Sequence, residues 1–202
     1  MTVRVNPLGL AAAASLFILA YFREAAWWTV NIGDIAILNA SPFKVTFNIT
    51  NINILPPIID YLTLGAWLAV IVGAGLMILG SLTDKKWSKS LVSFGLSKIT
   101  WELIGLVVVA VLLYVALGPM FNTLVNTFTG GLPEGLQILE HKAPFLVGEG
   151  LIQMRMPQGG GAVVISVPLK ANITEYFMMA VMALALSIAA RIYQGRFVGK
   201  AH

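Results

Sequence analysis

Cysteine is missing from all 202 residues, which excludes disulfides, thiolate zinc sites, iron–sulfur clusters and thiol catalysis. Charge is scarce as well: Asp, Glu, Lys and Arg make up 11% of the chain, against about a quarter of an ordinary soluble domain. Histidine occurs only at His141 and His202, neither inside an apolar run, so paired axial ligands for an intramembrane haem are lacking. With 58% hydrophobic residues and a mean hydropathy of +0.85, the composition is that of a membrane protein. The formal charge of +4 does not signal nucleic acid, because the basic residues lie mostly beside apolar segments, where they set topology.

What is present is four apolar runs separated by two long polar loops and one short basic one. The first run, within residues 1–30, continues past Arg23 and Glu24 to Trp27-Trp28. A basic start and a short apolar stretch also suit a cleaved secretory signal. As a retained span, residues 8–28 make a helix of about 31 Å, matching the ~30 Å hydrocarbon core, with the two tryptophans anchored at the outer interface.

In residues 31–57 the period changes. Phe43, Val45, Phe47 and Ile49 alternate with Lys44, Thr46, Asn48 and Thr50, the signature of a half-buried strand. Residues 34–38 supply a partner strand, and Asn39-Ala40-Ser41-Pro42 the turn of a hairpin.

The second run, residues 58–82, follows Pro56-Pro57, and Gly65, Ala69 and Gly73 recur on one face where another helix can approach closely. Lys85, Lys86 and Lys89 mark residues 83–90 as a cytoplasmic loop. The third run, residues 91–120, begins amphipathic, with Lys98 and Glu102 one turn apart and able to pair, and ends at Gly118-Pro119.

Residues 121–173 form a long insert. After a break at Gly130-Gly131-Leu132-Pro133, residues 151–156 and 162–169 read as two strands joined by a glycine-rich turn. A phosphate-binding loop would need a helix after those glycines, and a strand follows. The fourth run, residues 174–193, carries Ala180, Ala183, Ala185 and Ala189 as a small-residue packing surface; the tail 194–202 is basic, continuing from Arg191 through Arg196 and Lys200.

With four spans, Arg4, the lysine loop and the basic tail share one side. The chain is therefore expected as a multi-pass plasma-membrane protein with both termini cytoplasmic and both β-rich loops outside. Sequons at Asn39, Asn48 and Asn172 then face outward as N-glycosylation acceptors. A lone hairpin is marginal in water, so the two loops should pair. The expected fold is mainly α: a four-transmembrane-helix bundle with a small extracytoplasmic β-rich cap.

Candidate chemistry is sparse. Arg23, Glu24, Lys98 and Glu102 are charges at membrane depth, which fit an ion or proton path, or equally snorkelling and local pairing. His141 has Glu134, Glu140 and Glu149 near it in sequence without metal-ligand spacing. Met154, Met156, Met178, Met179 and Met182 suit packing better than copper. No catalytic, cofactor or metal site is expected, and a bound lipid or quinone is the small molecule compatible with such a bundle.

Residues 15–24, Ser-Leu-Phe-Ile-Leu-Ala-Tyr-Phe-Arg-Glu, and 73–83, Gly-Ala-Gly-Leu-Met-Ile-Leu-Gly-Ser-Leu-Thr, resemble the DoxX/DoxD type of four-span protein. That resemblance covers about a tenth of the chain and implies a membrane subunit of a thiosulfate:quinone oxidoreductase. The family's Cys-containing acidic motif is absent here, and the insert before the last helix departs from its pattern.

The leading expectation is a non-catalytic integral subunit that scaffolds a larger membrane complex, such as a respiratory or other energy-conserving one. It would meet the lipid bilayer, neighbouring membrane subunits or further copies of itself, and an external protein through residues 31–57 and 121–173. The alternatives are a small oligomeric transporter or channel, and a DoxD-like quinone-linked oxidoreductase subunit. The composition is compatible with an archaeal origin.

Overall fold

A computed structural model of the chain describes residues 5–33, 36–49, 52–53, 55–117, 137–142, 144–158 and 161–198. Expectations that fall on Arg4, Asp34, Thr50, residues 118–136, the glycines at 159 and 160, Lys200 and His202 lie outside the described residues. Among the described residues four helices and seven strands follow in the order α1 (Pro7–Tyr21), β1 (Trp28–Ile32), β2 (Ala36–Ser41), β3 (Lys44–Ile49), β4 (Ile52–Asn53), α2 (Ile58–Ser81), α3 (Ser88–Leu117), β5 (Gln137–Lys142), β6 (Gly148–Gln158), β7 (Gly161–Ile173) and α4 (Glu175–Val198).

Three of the helices, α2, α3 and α4, are long and apolar enough to cross a membrane. Their outward faces are apolar too, with Leu68, Val72, Leu79, Val108, Leu112 and Met182 exposed, a pattern that suits lipid rather than water. The inward faces keep helical spacing: Val92, Ile99, Leu103, Leu106 and Ala110 on α3, and Ala180, Ala183, Ser187, Ala190 and Gln194 on α4. Each helix packs on two neighbours, α1 on α2 and α4, and α3 on α2 and α4.

The first helix differs from expectation. It starts cleanly, with Pro7 in its first turn and the Asn6 Oδ1 accepting the Gly9 N–H at 2.9 Å, and it buries Ala12, Ala13, Leu16 and Leu19. It stops at Tyr21, however, and its 15 residues reach only about 22 Å, short of the ~30 Å hydrocarbon core. Strand pairing wins beyond it: the Trp27 N–H donates to the Ala40 carbonyl at 3.0 Å, and Trp28 opens β1 between β2 and β7. Trp27 and Trp28 are 0% and 1% exposed, so they are core residues and not lipid-facing anchors.

At the other end of the bundle, α4 runs past the expected boundary at residue 193 because Gln194 is buried there. Its amide Nε2 lies 3.2 Å from Gly80 O, 2.9 Å from Thr83 O and 2.8 Å from Ser88 Oγ, three acceptors that share its two N–H groups, while its Oε1 accepts from Asn6 Nδ2 at 2.9 Å. Asn6 Nδ2 also donates to Ala190 O at 3.0 Å, and the Asn6 N–H to Ser81 O at 2.8 Å. One amide network therefore ties the ends of all four helices together.

Between α2 and α3 the close approach is made by glycine. A Cβ on Gly95 would lie 2.8 Å from the Gly73 carbonyl oxygen and 2.6 Å from Met77 Cε. Gly95→Ala should force the helices apart and cost about 1–3 kcal/mol. Thermal unfolding in detergent reads this; an unchanged midpoint would mean the two helices do not meet there.

The strands form one antiparallel sheet in the order β4-β3-β2-β1-β7-β6-β5, so strands from before α2 and from after α3 join at β1–β7. The β1–β2 turn needs Gly33, at φ 56°, whose N–H also reaches the Pro168 carbonyl. The β2–β3 turn sits later than expected: Asn39, Ala40 and Ser41 belong to β2, the Ser41 hydroxyl accepts the Lys44 N–H at 3.1 Å, and Phe43 folds inward against Trp27. Register gives the sheet two unlike faces. Rows such as Trp28, Ala40, Val45 and Ile173, then Val30, Leu38, Phe47 and Ala171, join the same apolar core as the helices.

Candidate functional site

The opposite face of the sheet is polar. Thr46, Asn39, Thr29 and Asn172 lie in one cross-strand row, and Asn48, Ile37, Asn31 and Lys170 in the next. All three sequon asparagines therefore share this face, although Asn39 and Asn48 are half-buried in strands and only Asn172 is exposed. The alternation that predicted β3 fixes this sidedness, but the pairing of Thr29 with both Asn39 and Asn172 depends on the β1–β7 junction, for which no short motif exists.

The four membrane-depth charges each have a different surrounding. Glu24 forms a salt bridge with Lys44 at the edge of the polar face, the local pairing open to it from sequence. Arg23 follows α1 and lays its guanidinium over the Trp67 ring, 5.2 Å from the centroid, with its Nε buried and without a hydrogen-bond acceptor among the described residues. Trp67 in turn donates its indole N–H to the last turn of α1 at Ala20 O, 2.8 Å. Lys98 sets its ammonium 4.5 Å from the Phe94 ring, and the salt bridges among the described residues do not include one between Lys98 and Glu102.

Glu102 opens into a cleft of about 180 Å³ where the β2–β3 turn meets the flank of the bundle. Ala40, Ser41 and Pro42 form one wall, Thr63 of α2 another, and Glu102 and Gly105 of α3 the third. The two hydroxyls are already committed: Ser41 Oγ donates to Lys44 O at 3.2 Å, and Thr63 Oγ1 to Asp60 O at 3.1 Å. Half-buried Glu102 is left as the polar group in the cleft with no hydrogen bond or salt bridge among the described residues. Sequence reasoning found the carboxylate but not its cleft, because the turn that walls it lies some sixty residues away in the chain.

A second depression, of about 360 Å³, is more polar and is walled by Glu24, Ala26, Asn39, Lys44 and Thr46. The expected helix-packing positions divide. Gly73 faces Gly95 and Lys98, Ala69 and Ala189 are half-buried, a Cβ added at Gly65 would meet nothing within 4 Å, and Ala185 is exposed. Buried Ala180, Ala183 and Ala190 make the closer contacts on α4. His141 and Glu140 fall in β5 with side chains outside the described residues, as do those of Met154 and Met156; Met178 and Met182 are exposed on α4. Among the described residues no group of three or more His, Cys, Asp or Glu side chains converges as a metal site.

No protein-family profile, no curated protein and no solved structure matches this chain.

Proposed function

We propose that the chain is a non-catalytic membrane subunit: its helices lodge in the plasma membrane with both termini cytoplasmic, and its sheet presents an outer surface to a partner of a larger complex. One observation carries the reading. The β6–β7 hairpin outruns its neighbour, because β1 pairs only with residues 169–173 of β7. The stretch beyond holds Val163, Val164 and Ile165, all exposed, on a strand with no partner on its β1 side among the described residues. An apolar strand edge of this kind is what strand addition or face docking uses.

The orientation rests on charge. Lys85, Lys86, Lys89, Arg191 and Arg196 belong to the bundle end closed by Gln194, and the sheet lies toward the opposite end. The polar face with Asn39, Asn48 and Asn172 then meets the outer solvent, as glycan acceptors require. The small-transporter alternative gains little, since Arg23, Glu24 and Lys98 each have separate close neighbours.

Purification of the tagged full chain in mild detergent tests the reading. A stoichiometric partner should accompany it, and Val163→Lys with Ile165→Lys should reduce that partner at least tenfold while leaving the thermal midpoint within a few degrees. A chain that always runs alone would end the scaffold interpretation.

A further inference from the structure

We infer that the Glu102 cleft is a binding site for a small amphiphilic amine, its apolar body held between the β2–β3 turn and α3 and its ammonium on the Glu102 carboxylate. The inference stands apart from the scaffold reading, since the cleft is on the flank of the bundle and uses none of the β6–β7 residues.

Size comes first. A cavity of about 150 Å³ accommodates a benzene-sized molecule, and this cleft offers about 180 Å³. Its lining includes Pro42, Val45, Leu106 and Val109, so the body of the occupant must be apolar. The polar requirement is narrower. Ser41 and Thr63 spend their hydroxyl hydrogens on backbone carbonyls, so the cleft asks for a hydrogen-bond donor at Glu102. A carboxylate drawn from water into apolar surroundings is costly, and a cation offsets that cost where a neutral donor only partly does.

The nearest internal cation fills the role only in part, acting on Glu102 through space without bonding to it. Lys98, one turn earlier on α3, places its ammonium over Phe94 instead of closing a bridge to Glu102. Access is lateral: Trp101, Ile104 and Val108 flank the site on α3 and are exposed, so with α3 in a bilayer the occupant arrives from the lipid. Gly105 keeps the entrance open, since a Cβ there would meet nothing within 4 Å.

Benzylamine and benzyl alcohol, titrated against the full chain in nonionic detergent by calorimetry and saturation-transfer NMR, separate charge from shape. At neutral pH the amine should bind about tenfold to a hundredfold more tightly than the alcohol. Glu102→Gln should erase that preference with the cavity intact. Gly105→Leu, which has room to fold, should weaken both probes by filling the cleft, and thermal midpoints of both variants near the parent's show that the fold is retained. Lys98→Met should tighten the amine alone. Equal binding of the two probes, an amine preference that survives Glu102→Gln, or no binding of either overturns the assignment.

Discussion

Trp28→Ala is expected to cost about 3–5 kcal/mol, a fall of roughly 10 °C in the thermal midpoint followed by circular dichroism. The side chain is 1% exposed, sits at the start of the central strand β1 opposite Ala40 and Ile173, and donates its indole N–H to the Leu146 carbonyl at 2.8 Å. Truncation removes the apolar filling and leaves that carbonyl short of a donor. The neighbouring residue provides the control. Trp27 is as deeply buried and packs edge-on against Phe43 at 5.4 Å, yet its indole N–H has no acceptor among the described residues. Trp27→Phe should therefore cost less than Trp28→Phe, since only the second gives up a satisfied hydrogen bond. Equal losses would show that volume alone matters at this junction.

Gln194→Leu is the second large effect, about 2–4 kcal/mol by the same measurement, although it swaps a polar residue for an apolar one of similar size. The amide reaches α2, the α2–α3 connection, the start of α3 and the Asn6 cap of α1. A leucine would leave buried Gly80 and Ser88 groups without their donor. Gln194→Glu should do more harm still, since a carboxylate oxygen would replace the NH₂ group and face two backbone carbonyls. A leucine variant as stable as the parent would mean that water satisfies those groups and the network contributes little.

The residues differ in how openly they announce these roles. Pro56-Pro57 and the lysine-rich loop bracket an apolar run so sharply that α2, at Ile58–Ser81, lies within a residue of its expected bounds. Lys44–Ile49 shows its alternation because polar and apolar side chains differ strongly there. Trp28, Val30 and Ile32 alternate with Thr29 and Asn31 just as regularly, but they follow an apolar helix after a short stretch in which Phe22, Ala25, Ala26 and Trp27 are apolar too, and the 3.6-residue and 2-residue periods blur at the seam. That is why a single long span is the natural reading of residues 8–28. Gln194 is hidden differently: a glutamine beyond Arg191 looks like a solvated tail until Asn6, Gly80 and Ser88 are seen around it. Of the cleft, Glu102 is visible as a charge in an apolar run, while the walls from Ala40 to Pro42 depend on tertiary packing.

The junction of β1 with β7 has a bearing on how the molecule is made. Thr174 Oγ1 bonds the Ala26 carbonyl across 148 residues of chain, and its N–H bonds Trp27 O. During synthesis β2 can close one side of β1 almost at once, whereas at 5–20 residues per second the β7 side waits roughly 7–26 s longer. Through that interval α2 and α3 emerge while a central strand, apolar on one face, carries an open edge. Closure of the sheet is thus tied to arrival of the fourth helix, and a ribosome that stalls within the preceding loop leaves the nascent chain with its aggregation-prone edge uncovered.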